Sequence, residues 1–389
     1  MKTILFHVNS LLTGGIEKIL IEILKGMDTS RYRIILSIGY DMGSHELLKN
    51  QIPSTVEVVY LLKHPLLVTP HKNKKTGKTN FFEKALAELF LPPIMKLVKR
   101  KKLKSILTAV DVVIDFDTTL AAMHPLFANK KLIAYCHFGF DNIWKGNKRK
   151  LGKLAFRLSQ YDSVVMLCDE MKQDASALYP ILEKKLVRIY NALDAQSIQK
   201  QAQQNIQLPQ ELLQNGYIIS VGRLHEAQKD FTTLLKAYAI AVKRFAIKER
   251  LVIVGQGGDS QKLKELTIEL GIEHKVLFTG FDSNPYKWMQ HAKLFLFSSK
   301  YEGLPTVLIE AHILGLPIVA TATPTGVKEI LMQGDAGTIV PIGDEKTMAE
   351  SLAEVLQNKP LQVEYVRQAQ DLVPQFDINY MIPQLEKLF

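Results

Sequence analysis

Short apolar segments alternate with helical segments along most of this 389-residue chain. Continuous runs of Val, Ile and Leu between helical segments are typical of parallel strands that helices cover on both faces. The order predicts an α/β fold with two Rossmann-like domains in series, facing each other across a ligand cleft. The predicted strands span residues 3–8, 34–37, 56–61, 110–114, 131–136, 163–168, 186–190, 217–221, 250–254, 275–279, 294–298, 318–320 and 338–340.

A polar stretch rich in glutamine, residues 196–214, marks the predicted boundary between the two domains. The chain is long enough for two full cores. We therefore expect one Rossmann-like domain over residues 1–195 and a second over residues 196–375. The final segment, residues 376–389, has the pattern of an amphipathic helix.

The composition is that of a globular protein, with 47% hydrophobic and 23% charged residues. No run of about eighteen apolar residues occurs, so no transmembrane helix is predicted. The two cysteines, Cys136 and Cys168, show no metal-binding spacing, which favours a reducing cytoplasm. A signal peptide is the alternative for the N-terminus, but residues 4–9 fit a buried first strand better.

The positive charge lies in the first half of the chain. Residues 1–200 contain 31 lysines and arginines against 18 acidic residues, whereas residues 201–389 contain 18 against 21. Such an asymmetry indicates an anionic partner for the first domain, such as a membrane surface, a phospholipid-linked acceptor or a nucleic acid. In residues 71–104, eleven basic residues are interleaved with apolar ones, which predicts a basic amphipathic helix at a membrane surface. An ordinary surface helix is the alternative.

Residues 297–330 carry the densest chemical pattern in the chain. A strand leads through a polar turn and residues 303–305 into a helix, so backbone N–H groups and the helix dipole favour a phosphate there. Glu302 lies just before the helix, and Glu310 lies one turn after Thr306, facing the same side. Ionised carboxylates accept strong hydrogen bonds from sugar hydroxyls. The sequence shows no obvious cation partner near either carboxylate.

A second pattern surrounds Arg223 and Lys229. The predicted strand 217–221 ends, Gly222 turns the chain, and a helix begins near Asp230. Two cations around a loop at the edge of a sheet can clamp a diphosphate, because arginine offers a planar fork and lysine a point charge.

These two patterns resemble the retaining glycosyltransferases of family 4, which have the GT-B fold. The resemblance rests on the Glu-x7-Glu pair with Gly-Leu-Pro after the first glutamate, on Gly-Leu-Pro-Ile-Val-Ala after the second, and on Gly-Arg-Leu before Lys229. It implies that Glu302 binds the donor sugar, that Glu310 binds the ribose, and that Arg223 and Lys229 stabilise the leaving diphosphate. It also implies a last helix that crosses back to the first domain, and no essential metal or other cofactor.

The remaining predicted site residues lie in glycine loops or at strand ends. His137 follows the strand 131–136, which places it at the functional edge of the sheet, and the resemblance implies a hydrogen bond to the donor sugar. Asp115 and Asp117 are similar to the metal-binding Asp-x-Asp of another glycosyltransferase fold, but we interpret them as loop residues. The predicted catalytic set is Glu302, His137, Arg223 and Lys229, and the further donor-binding residues are Gly14, Gly15, Gly222, Gly255, Gly280, Phe281, Gly303, Leu304, Thr306 and Glu310.

The predicted function is a retaining bacterial glycosyltransferase. It would transfer a hexose or N-acetylhexosamine from a nucleotide diphosphate sugar, expected to be UDP-linked, to a membrane-associated glycan acceptor. The expected setting is the cytoplasmic face of the cell membrane, in lipopolysaccharide, O-antigen or capsule biosynthesis. The alternatives are a GT-B-fold nucleotide-sugar epimerase, a non-catalytic nucleotide-sugar binder, and a nucleic-acid-binding or nucleic-acid-modifying protein, against which the scarcity of aromatic residues in the basic region argues.

Overall fold

The computed structural model describes residues 1–12, 14–76, 90–140 and 147–389. The chain divides into two compact units. Unit 1 consists of residues 1–166, 172–192 and 381–389, and unit 2 consists of residues 167–171 and 193–380.

Unit 1 contains a seven-stranded sheet in which every pair of neighbours is parallel. The strand order is β3-β2-β1-β4-β5-β6-β7, with strands β1 Lys2–Val8, β2 Tyr32–Tyr40, β3 Glu57–Leu62, β4 Val112–Asp115, β5 Lys131–Cys136, β6 Ser163–Met166 and β7 Leu186–Arg188. Among the described residues of the first half of the chain, the helices are α1 Gly15–Gly26, α2 Pro65–Thr76, α3 Leu91–Leu107, α4 Lys148–Leu158 and α5 Asp169–Leu178. Short 3-10 helices span Gly43–His45, Lys49–Gln51, Ala121–Phe127 and Pro180–Lys185.

Unit 2 contains a six-stranded parallel sheet in the order β10-β9-β8-β11-β12-β13. Its strands are β8 Tyr217–Val221, β9 Arg250–Val254, β10 Val276–Gly280, β11 Leu294–Phe297, β12 Ile318–Thr321 and β13 Thr338–Val340. The helices are α6 Ala195–Ala202, α7 Gln210–Asn215, α8 Phe231–Phe245, α9 Ser260–Glu269, α10 Tyr286–Met289, α11 Thr306–Ile313, α12 Val327–Ile330, α13 Glu345–Gln357 and α14 Lys359–Leu372. The last helix, α15 Ile378–Glu386, begins in unit 2, and its residues from 381 onward belong to unit 1. Short 3-10 helices span Glu273–Lys275, Met332–Gly334 and Val373–Phe376.

Helix α8 shows how the sequence builds the core of unit 2. Leu234, Leu235, Tyr238 and Ala241 recur at three- and four-residue spacing and are fully buried against the sheet. Burying a leucine side chain contributes about 1.5–3 kcal/mol, so this stripe fixes which face of the helix packs inward. The Tyr238 hydroxyl donates to the carbonyl of residue 249 at 2.8 Å, so its polar end is satisfied.

The structure confirms the predicted α/β class and both parallel sheets. The strand bounds differ by a few residues; β2, for example, extends from Tyr32 to Tyr40, beyond the predicted 34–37. Residues 381–389 belong to unit 1, where the ring of Phe389 meets Tyr32 edge-on at 5.6 Å and Glu386 pairs with Arg31 at 3.1 Å.

The predicted basic helix over residues 71–104 lies partly outside the described residues. Within the described part it divides between the end of α2 and most of α3. No helix among the described residues combines the length and the apolar character that crossing a bilayer requires.

The interpretation of Asp115 as a loop residue was wrong. Strand β4 continues one residue beyond the apolar residues 112–114, so Asp115 is its last residue. The side chain of Asp115 is fully buried. One carboxylate oxygen accepts from the Tyr161 hydroxyl at 2.9 Å and from the Leu120 amide at 3.0 Å, while the other is buried without a hydrogen-bond partner. Burial, and then the nearby charge of Asp117, raises the pKa of Asp115 to about 8.

Replacing Asp115 with asparagine is expected to flatten the pH dependence of unit 1 stability. The pKa of Asp115 is near 4 in the unfolded chain. Between about pH 4 and pH 8 the folded protein therefore keeps a proton on Asp115 that the unfolded chain releases, so the stability of unit 1 falls as pH rises through this range. The asparagine side chain does not titrate, so the decrease in unfolding free energy between pH 5 and pH 7 should shrink by about 2.5 kcal/mol. Hydrogen exchange of the β1 and β4 amides at pH 5 and pH 7 would measure the unfolding free energy of unit 1 in the wild type and in the variant.

The exposed Glu57, paired with Arg33 on the surface of β3, supplies the control as Glu57→Gln. This substitution should leave the change in unfolding free energy of unit 1 between pH 5 and pH 7 within about 0.5 kcal/mol of the wild-type change. An equal slope in wild type and Asp115→Asn would show that Asp115 is ionised in the folded protein.

Candidate active site

The topology of unit 2 brings two loops side by side. The strand order reverses between β8 and β11, because the chain continues from β8 outward to β9 and from β11 outward to β12. Ligands of open parallel sheets bind at the carboxyl ends of strands where this reversal occurs. The loop after β8 spans residues 222–230 and the loop after β11 spans residues 298–305. These two loops carry most of the predicted donor-binding residues of unit 2.

Glu302 places a carboxylate between the two loops. Its side chain is only 8% exposed and accepts hydrogen bonds from Lys229 Nζ at 2.5 Å, Ser299 Oγ at 2.6 Å and Gln228 Nε2 at 3.3 Å. A buried carboxylate needs such partners, because desolvation without them costs several kcal/mol. The sequence offers Glu302 no obvious local cation partner, and its cation, Lys229, comes from the neighbouring loop, 73 residues earlier in the chain.

The two predicted cations are joined to this carboxylate in different ways. Lys229 pairs with Glu302 directly, and its ammonium lies 5.1 Å from the centre of the Phe297 ring. Arg223 is exposed and donates from Nη2 to Gln228 Oε1 at 3.3 Å. The structure thus brings Arg223, Lys229 and Glu302 into one cluster, with Gln228 between the arginine and the glutamate.

A ladder of hydroxyl groups supports the loop that carries Glu302. The Ser299 amide donates to Thr321 Oγ1 at 3.0 Å, and Thr323 Oγ1 donates to the Ser299 carbonyl at 2.7 Å. The Glu302 amide donates to the carbonyl of Pro324 at 2.7 Å. Sequence reasoning missed Gln228, Ser299 and these threonines as site residues, although the polar turn after β11 was an available signal.

The helix after this loop carries the second glutamate. Glu310 lies in α11 and is buried, and Thr306, four residues earlier, is the first residue of that helix. Leu304 is buried just before it, and the carbonyl of Gly303 accepts from Thr325 Oγ1 at 2.9 Å.

Gly255 shapes the neighbouring loop after β9. It has φ +147°, and a Cβ there would lie 1.9 Å from the carbonyl oxygen of Gly222. Its amide donates to the Gly280 carbonyl at 2.8 Å, so the ends of β9 and β10 meet at this point. A side chain at residue 255 would displace the backbone of the loop that carries Arg223. Phe281 follows Gly280 and is about half exposed.

The other predicted site residues belong to unit 1. Gly14 and Gly15 lie at the start of α1, and a Cβ at Gly15 would meet no atom within 4 Å. His137 follows β5 and is 8% exposed. Its Nε2 donates to the carbonyl of Phe116 at 2.7 Å, and burial lowers its pKa to about 4. The imidazole is therefore neutral at pH 7, with Nδ1 as a hydrogen-bond acceptor.

The described residues contain no group of three or more His, Cys, Asp or Glu side chains arranged to hold a metal ion. Asp117 accepts from the Asn9 amide at 2.7 Å and from the Thr119 side chain at 2.5 Å. The absence of a cofactor requirement stays a prediction.

Breaking the pair between Lys229 and Glu302 is expected to destabilise unit 2. Lys229→Met leaves the carboxylate without its ammonium and should lower the unfolding free energy by about 2–4 kcal/mol. Adding Glu302→Gln removes the stranded charge and should restore at least about half of the loss. Urea unfolding of the two single variants and the double variant measures the coupling.

Lys300 offers a matched control, because its half-exposed ammonium lies 3.9 Å from Asp230 at the edge of the same loops. Lys300→Met should change stability by less than about 1 kcal/mol. Additive effects of Lys229→Met and Glu302→Gln would contradict the inferred dependence of the carboxylate on the lysine.

Known proteins resemble both the sequence and the fold. Residues 203–372 match the family described as Glycosyl transferases group 1. A Campylobacter jejuni protein named N-acetylgalactosamine-N,N'-diacetylbacillosaminyl-diphospho-undecaprenol 4-alpha-N-acetylgalactosaminyltransferase is 28% identical over 97% of this chain and 96% of its own. An uncharacterized glycosyltransferase of Haemophilus influenzae is 26% identical over 93% of this chain and 92% of its own.

A solved structure shows the same architecture over the full length. The crystal structure of Anabaena HepE in complex with UDP and glucose has a TM-score of 0.73, with 20% identity, and the match covers 100% of this chain and 99% of that one. The fold is therefore that of the GT-B enzymes. The chain is a glycosyltransferase, and its residues 203–372 match the model of the Glycosyl transferases group 1 family.

Proposed function

We propose that this glycosyltransferase works with retention and moves a hexose or N-acetylhexosamine from a UDP-linked donor to a lipid-linked glycan. The cluster of Arg223, Lys229 and Glu302 carries the proposal, because it combines cations for a diphosphate with a carboxylate for sugar hydroxyls. The lipid-linked glycan would be an intermediate in lipopolysaccharide, O-antigen or capsule biosynthesis.

The relatives support the finer points. The name of the Campylobacter relative states transfer of an α-linked N-acetylgalactosamine to an acceptor on diphospho-undecaprenol. An α product from an α-linked donor means retention of configuration. The Anabaena structure contains UDP and glucose, which supports a UDP-linked donor.

The proposed roles follow from the chemistry of each group. Arg223 and Lys229 neutralise the charge that develops on the departing diphosphate, which lowers the barrier through electrostatic stabilisation. Glu302 accepts hydrogen bonds from the sugar hydroxyls, and neutral His137 offers Nδ1 as a hydrogen-bond acceptor. The acceptor hydroxyl attacks from the face that the diphosphate leaves, and a phosphate oxygen takes its proton. No metal is assigned a role.

Helix α3 supports an acceptor held at a membrane. Lys99 on its inner side donates to Asn9 Oδ1 at 3.2 Å and lies 4.0 Å from the centre of the Tyr40 ring, so the helix is fixed to unit 1. Its outer side exposes apolar residues beside basic ones, a pattern suited to an anionic bilayer at the cytoplasmic face. The exposed apolar residues are Ile94, Leu97 and Val98 on the helix and Phe90 just before it, and the exposed basic residues are Lys96, Arg100, Lys101 and Lys104.

Turnover of UDP-sugars tests the reaction. Wild-type protein with a panel of UDP-hexoses and UDP-N-acetylhexosamines, and a diphospho-undecaprenol-linked glycan as acceptor, should release UDP and form an α-glycoside. Glu302→Gln removes the charge at constant size and should lower kcat/KM by about 100-fold or more, equivalent to about 2.7 kcal/mol. Glu364→Gln, an exposed carboxylate on α14, should leave kcat/KM within about twofold.

Three results would contradict this proposal in whole or in part. Conversion of the UDP-sugar without any acceptor would point to an epimerase. Full activity in Glu302→Gln would remove the cluster from the reaction. A β-glycoside formed from an α-linked donor would overturn retention alone.

Vesicle flotation tests the membrane contact. Wild-type protein should float with vesicles of phosphatidylglycerol and phosphatidylcholine, and much less with phosphatidylcholine alone. Ile94→Glu with Leu97→Glu should weaken binding by about tenfold or more, since burying each apolar side chain is worth about 1.5–3 kcal/mol. Ile268→Glu, a similarly exposed residue on α9 in unit 2, is the matched control. Equal flotation of the wild type and all variants, or a preference for duplex DNA over vesicles, would contradict the proposed contact of α3 with a membrane.

A further inference from the structure

Gln228 is a buried polar residue that connects the two loops of the candidate site. It is 6% exposed. Its backbone carbonyl accepts from Ser299 Oγ at 2.9 Å and from the Lys300 amide at 2.7 Å. The loop after β8 and the loop after β11 are therefore joined at this residue.

The neighbours of the Gln228 side chain determine which way its amide faces. The nitrogen lies 3.3 Å from Glu302 Oε2 and 3.4 Å from the carbonyl of Tyr301, and an ionised carboxylate and a carbonyl only accept. The oxygen lies 3.3 Å from Arg223 Nη2, and a guanidinium only donates. The position thus requires a donor and an acceptor on one terminal group, which a primary amide supplies at this reach.

Gln228 is the group that lies between the exposed Arg223 and the buried Glu302. Hydrogen bonds in a chain polarise one another, and they do so more strongly where water is largely excluded. An anion bound to Arg223 therefore changes the strength of the hydrogen bond from Arg223 to the Gln228 amide oxygen. The position of the Gln228 amide nitrogen relative to Glu302 changes with it. Lys229 reaches the other oxygen of the same carboxylate.

We propose that Gln228 is a positioning residue that couples the diphosphate-binding Arg223 to the sugar-binding Glu302. Filling the diphosphate site then sets the orientation in which Glu302 receives the sugar hydroxyls. The sugar of a nucleotide sugar is bound more tightly than it would be without Gln228, while the nucleotide is bound about equally. This inference rests on the proposed function, because it uses the roles assigned there to Arg223 and Glu302.

The affinities of UDP and of the UDP-sugar that wild type turns over provide the test. Their ratio, Kd of UDP over Kd of UDP-sugar, measures the contribution of the sugar. In Gln228→Met, which keeps the size but loses the amide, Kd for UDP should stay within about threefold, whereas the ratio should fall about tenfold. A purely structural role would lower the melting temperature and change both affinities together.

A cycle with Arg223→Lys tests the coupling itself. Lysine keeps the charge but loses the planar fork that meets the amide. With Gln228 present, Arg223→Lys should lower both the UDP affinity and the sugar ratio. In the Gln228→Met background it should lower the UDP affinity alone.

Gln228→Glu adds a chemical rescue. At pH 8 the introduced carboxylate would face Glu302 and the Tyr301 carbonyl without a donor, so kcat/KM should fall further than in Gln228→Met. As pH is lowered toward 5, a proton on the introduced carboxyl restores both a donor and an acceptor. The kcat/KM of this variant relative to wild type should then rise by about fivefold or more.

The outcomes separate this inference from the function on which it rests. A wild type that binds no UDP-sugar overturns both. A wild type that is active, with an unchanged sugar ratio in Gln228→Met or the same effect of Arg223→Lys in both backgrounds, overturns the coupling alone. Recovery of Gln228→Glu at low pH together with a lowered ratio in Gln228→Met supports it.

Discussion

A negative charge held almost out of water is the constraint on which the second unit depends. The Glu302 carboxylate is nearly buried, and burying it without partners would cost several kcal/mol. Lys229, Ser299 and Gln228 offset that cost only if their loops stay within hydrogen-bond distance. The threonine ladder behind Ser299 is therefore part of the electrostatics of the site, because it fixes the loop that carries the charge.

A close backbone contact outside the ion pair also fixes the loop that carries Lys229. Gly255 lies against the carbonyl of Gly222, closer than any side chain would permit. This contact packs the end of β9 beneath the loop that carries Arg223 and Lys229. The glycine, interpreted from sequence as part of a nucleotide loop, thus has a structural task that requires no ligand.

Much of the fold could be predicted from the sequence, because parallel strands buried on both faces leave continuous apolar runs. The ends of elements could not, since they depend on tertiary contacts. Asp115 continues β4 although its side chain is acidic, because the Tyr161 hydroxyl and the Leu120 amide meet it in the core. Residue type alone favours a loop at such a position.

Only part of the candidate site could be predicted from the sequence, because its contacts also depend on tertiary structure. Glu302 and Lys229 were each identified from local patterns, but their contact joins residues 73 apart in sequence. It exists because β8 and β11 are neighbours in the sheet, a fact of strand order rather than of spacing. Gln228 has no local signature at all. Its importance lies in having a donor and an acceptor on one terminal group, and only the positions of Arg223 and Glu302 show that both are used.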